Sequence, residues 1–153
     1  MTTIEAKATL MVSSPDFKHG DYIPMKYTCE GQNINPALDI KGIPKEAISL
    51  TLIMDDPDAP GGTFDHWLVW NIHPAETIAQ DNLPGIAGKN SKGQNKYMGP
   101  CPPSGTHRYF FKVFALDTTL NLPAQASKQM LEQAMQDHVL AYGELIGLYK
   151  KHK

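Results

Sequence analysis

The sequence predicts a mainly β single domain over all 153 residues, with one clear helix near the C-terminus. Three observations predict this class. Glycines and prolines, twelve of each, are spread along the chain and punctuate short apolar runs, as in strands joined by turns. Two runs, HWLVWNI at 66–72 and RYFFKVFAL at 108–116, are apolar on both faces, as in central strands covered on both sides. Only 127–138 shows clear helical spacing, and the length suits one domain with its own core.

In chain order, strands are predicted at 8–13, 26–29, 37–40, 48–55, 66–73 and 108–117. Within 48–55, Leu50, Leu52 and Met54 alternate with Thr51, Ile53 and Asp55, giving one wholly apolar face and one mixed face. Segment 74–107 is the least regular, with few apolar anchors and many turn residues; a loop that long in a compact domain is usually functional or disordered. The helix carries Met130, Leu131, Ala134, Met135 and His138 at i, i+3/i+4 spacing. Pro123 lies before it, Ala126 or Ser127 can start it, and its methionine stripe reads as core packing. A last strand follows in VLAYGELIGLYK at 139–150, where Gly143 and Gly147 allow a close backbone approach.

The formal charge of −2 and the 20% of charged residues give no basic face of the kind that nucleic acid requires. WLVWNI is too short to span a bilayer, and the N-terminal residues lack the apolar run of a signal peptide. A small secreted domain usually carries more than two cysteines, so Cys29 and Cys101 are expected to be reduced thiols in a cytoplasmic protein.

Two polar Pro/Gly-rich loops, DDPDAPGGTFDHW at 55–67 and YMGPCPPSGTHRY at 97–109, each feed a histidine into a central strand. Both could sit at one end of the sheet. An EF-hand is excluded: counting from Asp56, position 5 is Pro60 and position 12 is Trp67, where a bidentate glutamate is required. No P-loop motif occurs. A metal site from His66, His107 and Asp56 or Asp58 has the right donors, but nothing in the spacing demands it. A dyad of Cys101 with His66 or His107 is a further alternative, although Pro100 and Pro102 leave few backbone donors for an oxyanion. The reading that uses most residues is a small-ligand pocket. Asp56 and Asp58 would favour the imidazolium of His66, which would hold an anion, while prolines and Tyr109 supply an apolar wall. A cis bond among the five X–Pro bonds of these loops would mark a loop held in shape for binding.

DPDAP at 56–60, the His66–Trp67 pair before LVWNI, and GPCPPSGTHRYFFKVFALD at 99–117 closely resemble the phosphatidylethanolamine-binding protein family, which includes Raf kinase inhibitor proteins and plant flowering regulators. NINPAL at 33–38 and the ending HVLAYGELIGLY add to the resemblance and point to the bacterial branch. The resemblance implies a large central β-sheet packed against a smaller antiparallel sheet, with an anion pocket at one end. It implies that Asp56, Asp58, His66, Gly99, Cys101, Pro102, Pro103, His107 and Tyr109 form that pocket, without metal or cofactor. The expected ligands are phosphate groups, phospholipid head groups or phosphorylated protein segments, and the expected role is regulation of a kinase or protease rather than catalysis. A homodimer is also implied. Ending at Lys153, the sequence is expected to lack the C-terminal helix that borders the pocket in animal members. The alternative function is a hydrolase or metal-dependent enzyme using Cys101 with His66 or His107.

Overall fold

A computed structural model describes residues 4–152. In chain order the strands are β1 (Ala8–Thr9), β2 (Met11–Ser13), β3 (Leu38–Lys41), β4 (Ser49–Asp56), β5 (Phe64–Ile72), β6 (Thr77–Ile78), β7 (Ile86–Ala87), β8 (His107–Leu116) and β9 (Val139–Tyr149), with helix α1 (Lys128–Met135) before the last. Six of them form a mixed sheet in the order β1-β9-β8-β4-β5-β7, and β2-β3-β6 form a smaller antiparallel sheet.

The two strands with no polar face are central, as expected. β5 lies between β4 and β7, and β8 between β4 and β9. One face of the large sheet buries Leu52, Met54, Trp67, Val69, Phe111 and Val113 with residues of the small sheet such as Leu38 and Ile40. The other buries Ile53, Leu68, Trp70 and Phe114 under α1. Two covered faces explain why these strands cannot alternate. Leu131 and Met135 of α1 are fully buried, worth about 1.5–3 kcal/mol each as apolar area removed from water. The helix is shorter than predicted. Ser127 caps it, its Oγ accepting from the Met130 amide at 3.3 Å. Met130 is exposed, and His138 lies beyond the helix, paired with Asp117 at 2.8 Å, so the apolar stripe is narrower than the spacing suggests.

Two other elements differ from expectation. The predicted strand at 8–13 breaks at Leu10, where the chain leaves β9 and joins β3 in the small sheet. The Leu10 amide donates to the Tyr142 carbonyl at 2.8 Å, and a Cβ on Gly143 would collide with the Leu10 carbonyl. Gly143 is thus a close approach, as its place in the strand suggested. Residues 26–29 do not form a strand; Met25–Tyr27 is a 3₁₀ turn closed by the Thr28 hydroxyl on the Met25 carbonyl at 2.9 Å. The segment 74–107 is irregular as expected: before His107 opens β8, it holds only the two-residue strands β6 and β7 among the described residues. Asparagine side chains order the rest in place of a ladder: Asn90 caps its own turn and donates to the Lys96 carbonyl, and Asn95 donates to the carbonyls of Ala87 and Ala124.

Candidate functional site

The site lies where β4 ends, β5 begins and β8 begins, so both loops do reach the same end of the large sheet. β4 hands Asp56 to the turn. One carboxylate oxygen accepts the Asp58 amide at 2.8 Å, and the other accepts Nδ1–H of His107 at 2.7 Å. Asp56 and His107 are both buried, so this is a fixed carboxylate–imidazole pair.

His66 reaches the same face through a β-bulge. Met54 pairs with Trp67 and Asp55 with Asp65, which leaves His66 as the extra residue of β5. A bulge shifts the period of two by one residue and re-aims a side chain, a device common beside functional sites. His66 and Met98 are joined twice: the Met98 amide donates to the His66 carbonyl at 3.2 Å, and the His66 Nδ1 lies 2.6 Å from the Met98 carbonyl. A carbonyl has no proton to give, so Nδ1 carries the hydrogen and Nε2 is left to the pocket. Burial holds this imidazole below the usual histidine range, against the pull of the Met98 carbonyl and the Asp56 carboxylate. His66 without a ligand is therefore neutral near pH 7, which corrects the expectation that the aspartates charge it.

Tyr109 stands between the two imidazoles. Its ring stacks on His107 at 6.4 Å and meets His66 edge-on at 5.3 Å, while Phe64 packs on His66 at 4.9 Å. The Tyr109 hydroxyl is buried with no partner at hydrogen-bonding geometry. Burial, with the Asp56 charge nearby, pushes its phenol up, so it stays a neutral O–H. These residues, with Ala59, Pro60, Lys92, Met98, Cys101, Pro102 and Pro103, line a cavity of about 210 Å³.

Seven of the nine expected site residues thus meet in one cavity: Asp56, His66, Cys101, Pro102, Pro103, His107 and Tyr109. Two do not line it. Asp58 turns away to Arg108, accepting from its amide, Nε and Nη2, each at 2.9 Å. Those hydrogen bonds hold its carboxyl at about 2. Gly99 serves packing instead: its amide donates to Asn33 Oδ1 at 2.8 Å, and a Cβ there would strike the Tyr27 carbonyl. Sequence reasoning missed Lys92, Met98 and Phe64. Lys92 and Met98 come from the irregular segment, and Ser91 sets Lys92 beside β5 by two hydrogen bonds with Asp65, its amide to the Asp65 carbonyl at 2.9 Å and its hydroxyl accepting the Asp65 amide at 2.8 Å. Asp55 and Asp65, unassigned from sequence, support the opposite face. Asp55 is buried and accepts from Lys112 at 3.0 Å and Lys128 at 3.3 Å, and Lys128 also reaches Asp65 at 2.8 Å.

The cysteines are not reduced thiols. Cys29 and Cys101 form a disulfide with Cα atoms 5.5 Å apart, across 72 residues of sequence. The cause is tertiary: the 25–33 turn and the 97–101 loop run side by side, tied by the Cys29 amide on the Pro100 carbonyl (3.1 Å) and the Tyr97 hydroxyl on the Tyr27 carbonyl (2.7 Å). A cysteine count cannot reveal such neighbours. The thiol dyad is thereby removed, because the Cys101 sulfur is bonded to Cys29. The two-histidine, one-carboxylate metal set does not assemble either: Asp58 is committed to Arg108, Asp56 already bonds His107 Nδ1, and no group of three metal-ligating side chains occurs among the described residues. No peptide bond among the described residues is cis, so no cis proline holds either loop in shape.

Comparison with known proteins gives concordant matches. A family profile described as phosphatidylethanolamine-binding protein matches residues 13–150. A UPF0098 protein of Pyrococcus horikoshii is 50% identical, over 96% of this chain and 79% of the relative. One from Chlamydia trachomatis is 38% identical, over 93% and 99%. Among solved structures, a putative phosphatidylethanolamine-binding protein homologue from Chlamydia trachomatis superposes with a TM-score of 0.90 at 38% identity, covering 95% of this chain and 99% of that one. The E. coli protein YbcL, described as a member of the mammalian PEBP family, gives 0.86 at 28% identity, covering 94% and 99%.

Proposed function

The chain belongs to the phosphatidylethanolamine-binding protein family, and we propose that it is a non-enzymatic regulator that binds the phosphate group of a small molecule, a phospholipid head group or a phosphorylated protein segment. One observation carries the reading. His66 and His107 line one cavity, each with Nδ1 fixed on a rigid acceptor, so each presents Nε2 to whatever enters. Lys92, exposed, adds a positive charge to the lining, and prolines with Phe64 supply its apolar part.

The energetics suit a reversible binder. A hydrogen bond to a charged group is worth about 1.5–3 kcal/mol net, so two reach the roughly 4 kcal/mol of a millimolar complex. Lys92 and the apolar wall improve on that. The ligand has a tetrahedral anion in common whether it is free phosphate or part of a head group. The family's descriptor names phosphatidylethanolamine, whose head group carries such a phosphate beside an ammonium. Kinase or protease inhibition and a homodimer belong to the same proposal; a cytoplasmic location loses the support of reduced cysteines, because Cys29 and Cys101 are bonded to each other. The feature that favours binding over thiol catalysis is the Cys101 sulfur, which in the disulfide form is bonded to Cys29 and cannot attack.

Calorimetric or NMR titration with inorganic phosphate, phosphoethanolamine and phosphotyrosine tests this. Millimolar or tighter binding of at least one, lost in His66→Ala, is expected. Absence of binding by all three, or full binding by His66→Ala, overturns the reading. The ranking of the three separates a head-group site from a phosphosegment site.

A further inference from the structure

We propose that the Cys29–Cys101 disulfide is a redox latch on the pocket: a dithiol reductant opens it, loosens the 101–106 wall and weakens anion binding while the domain stays folded. The binding part rests on the anion reading above; the loosening does not.

The bond sits between two spaces. On one side Cys101 lines the anion cavity, next to Pro102 and Pro103. On the other, a separate surface cavity of about 420 Å³ is lined by Cys29, Glu30, Cys101 and Lys151. Cys29 is exposed and Cys101 half-buried, so a thiolate can approach from outside without unfolding the chain. Lys151 is placed to stabilise a departing thiolate. Glu30 opposes it less than its charge suggests, because it already accepts from the Tyr149 hydroxyl at 2.6 Å and the His152 amide at 3.1 Å.

The location of the other ties decides what reduction would free. The noncovalent links between the two segments end at residue 100: the Tyr97 hydroxyl on the Tyr27 carbonyl, the Gly99 amide on Asn33 Oδ1, and the Pro100 carbonyl with the Cys29 amide. β8 takes over at His107. Between them, apart from the approach of the Cys101 amide to the Tyr109 phenol, no hydrogen bond ties 101–106 to the body of the domain among the described residues. The disulfide is therefore the covalent clamp on the stretch that forms the wall, while the two hydrophobic cores lie elsewhere.

The chemistry balances. A dithiol's thiolate attacks one sulfur of the bond, the second thiol resolves the mixed disulfide, and the reductant leaves as its own disulfide. Two electrons and two protons pass to Cys29 and Cys101, which become thiols. If the freed wall is in the closed, binding-competent arrangement about a tenth of the time, apparent affinity falls about tenfold.

The test treats the folded protein with dithiothreitol and follows four readouts: thiol count, circular dichroism, hydrogen exchange of 99–109 and sulfate affinity by calorimetry. Expected are two thiols per chain, an unchanged fold, faster exchange confined to that segment and sulfate binding about tenfold weaker, restored on reoxidation. Cys29→Ser, with its single thiol, should match the reduced protein in fold, exchange and sulfate affinity and ignore dithiothreitol. The latch is overturned if no thiols appear in the folded protein, if the fold is lost with reduction, or if exchange stays unchanged with two thiols counted. Faster exchange with unchanged sulfate affinity overturns the control of binding. An oxidised protein that binds no sulfate sinks the anion reading instead, and the exchange rates then decide the latch.

Discussion

Anion binding at this site should take up a proton through His66. Its Nδ1–H is spent on the Met98 carbonyl at 2.6 Å, so in the neutral ring Nε2 carries only a lone pair, which repels an anionic oxygen. Burial keeps the free imidazole below its ordinary 6.5. Above pH 6.5 the free His66 imidazole is therefore mostly neutral, and each further pH unit costs a factor of about ten, or about 1.4 kcal/mol, to charge it. From pH 7 to 8.5 sulfate affinity should fall about 30-fold through His66 alone, by the same arithmetic. Sulfate is the right probe because, unlike phosphate, it does not titrate in this range. Calorimetry in buffers of different ionisation enthalpy reads the proton directly. His66→Gln keeps a donor near Nε2 that needs no proton, so wild type should take up about one proton more than the variant and show the steeper profile. Equal proton uptake and equal pH slopes in the two proteins would refute the reasoning. The same linkage acts on folding. The unfolded chain binds this proton more readily, so the contribution of a neutral His66 is present above pH 6.5 and is lost as pH falls through its folded value. Saturating sulfate should oppose that loss.

Asp56→Asn should weaken sulfate binding more than Asp58→Asn, because Asp56 fixes the His107 ring while Asp58 faces Arg108 outside the cavity; parallel titrations check the order. The Asp58–Arg108 pairing should hold above pH 3.8 and be lost as pH falls through about 2, read from the Asp58 carboxyl shift by NMR. Asp55→Ala removes the buried partner of Lys112 and one of the two partners of Lys128 and should cost about 3 kcal/mol in urea unfolding, the lower end for a broken buried pair because both lysines retain some water contact and Lys128 keeps Asp65. Gly99→Ala must displace the Tyr27 backbone and should cost about 1–3 kcal/mol and shift the wall loop, measurable by denaturation and by sulfate affinity. Leu131→Ala, beneath α1, should cost about 2–5 kcal/mol with sulfate binding unchanged.

The sequence alone determined what depends on local pattern. Apolar runs without a polar face announced β5 and β8 as central, and helical spacing located α1 to within a few residues. Two Pro/Gly-rich loops ending in histidines marked the end of the sheet where the cavity lies. The tertiary structure decided which polar group meets which. That His66 is a bulge residue follows from its pairing with β4, and a single inserted residue leaves no trace in a run as mixed as Phe64–Trp67. Asp56 found His107 rather than His66, 51 residues on, and Asp58 found Arg108 at a separation of 50. Asp55 found Lys112 and Lys128, 57 and 73 residues away. The two cysteines met because a 3₁₀ turn and an irregular loop pack side by side. Periodicity reports which face a residue takes within its own element. Hydrogen bonds, ion pairs and disulfides join elements, and their partners are set by how strands register and loops dock, which no local pattern encodes.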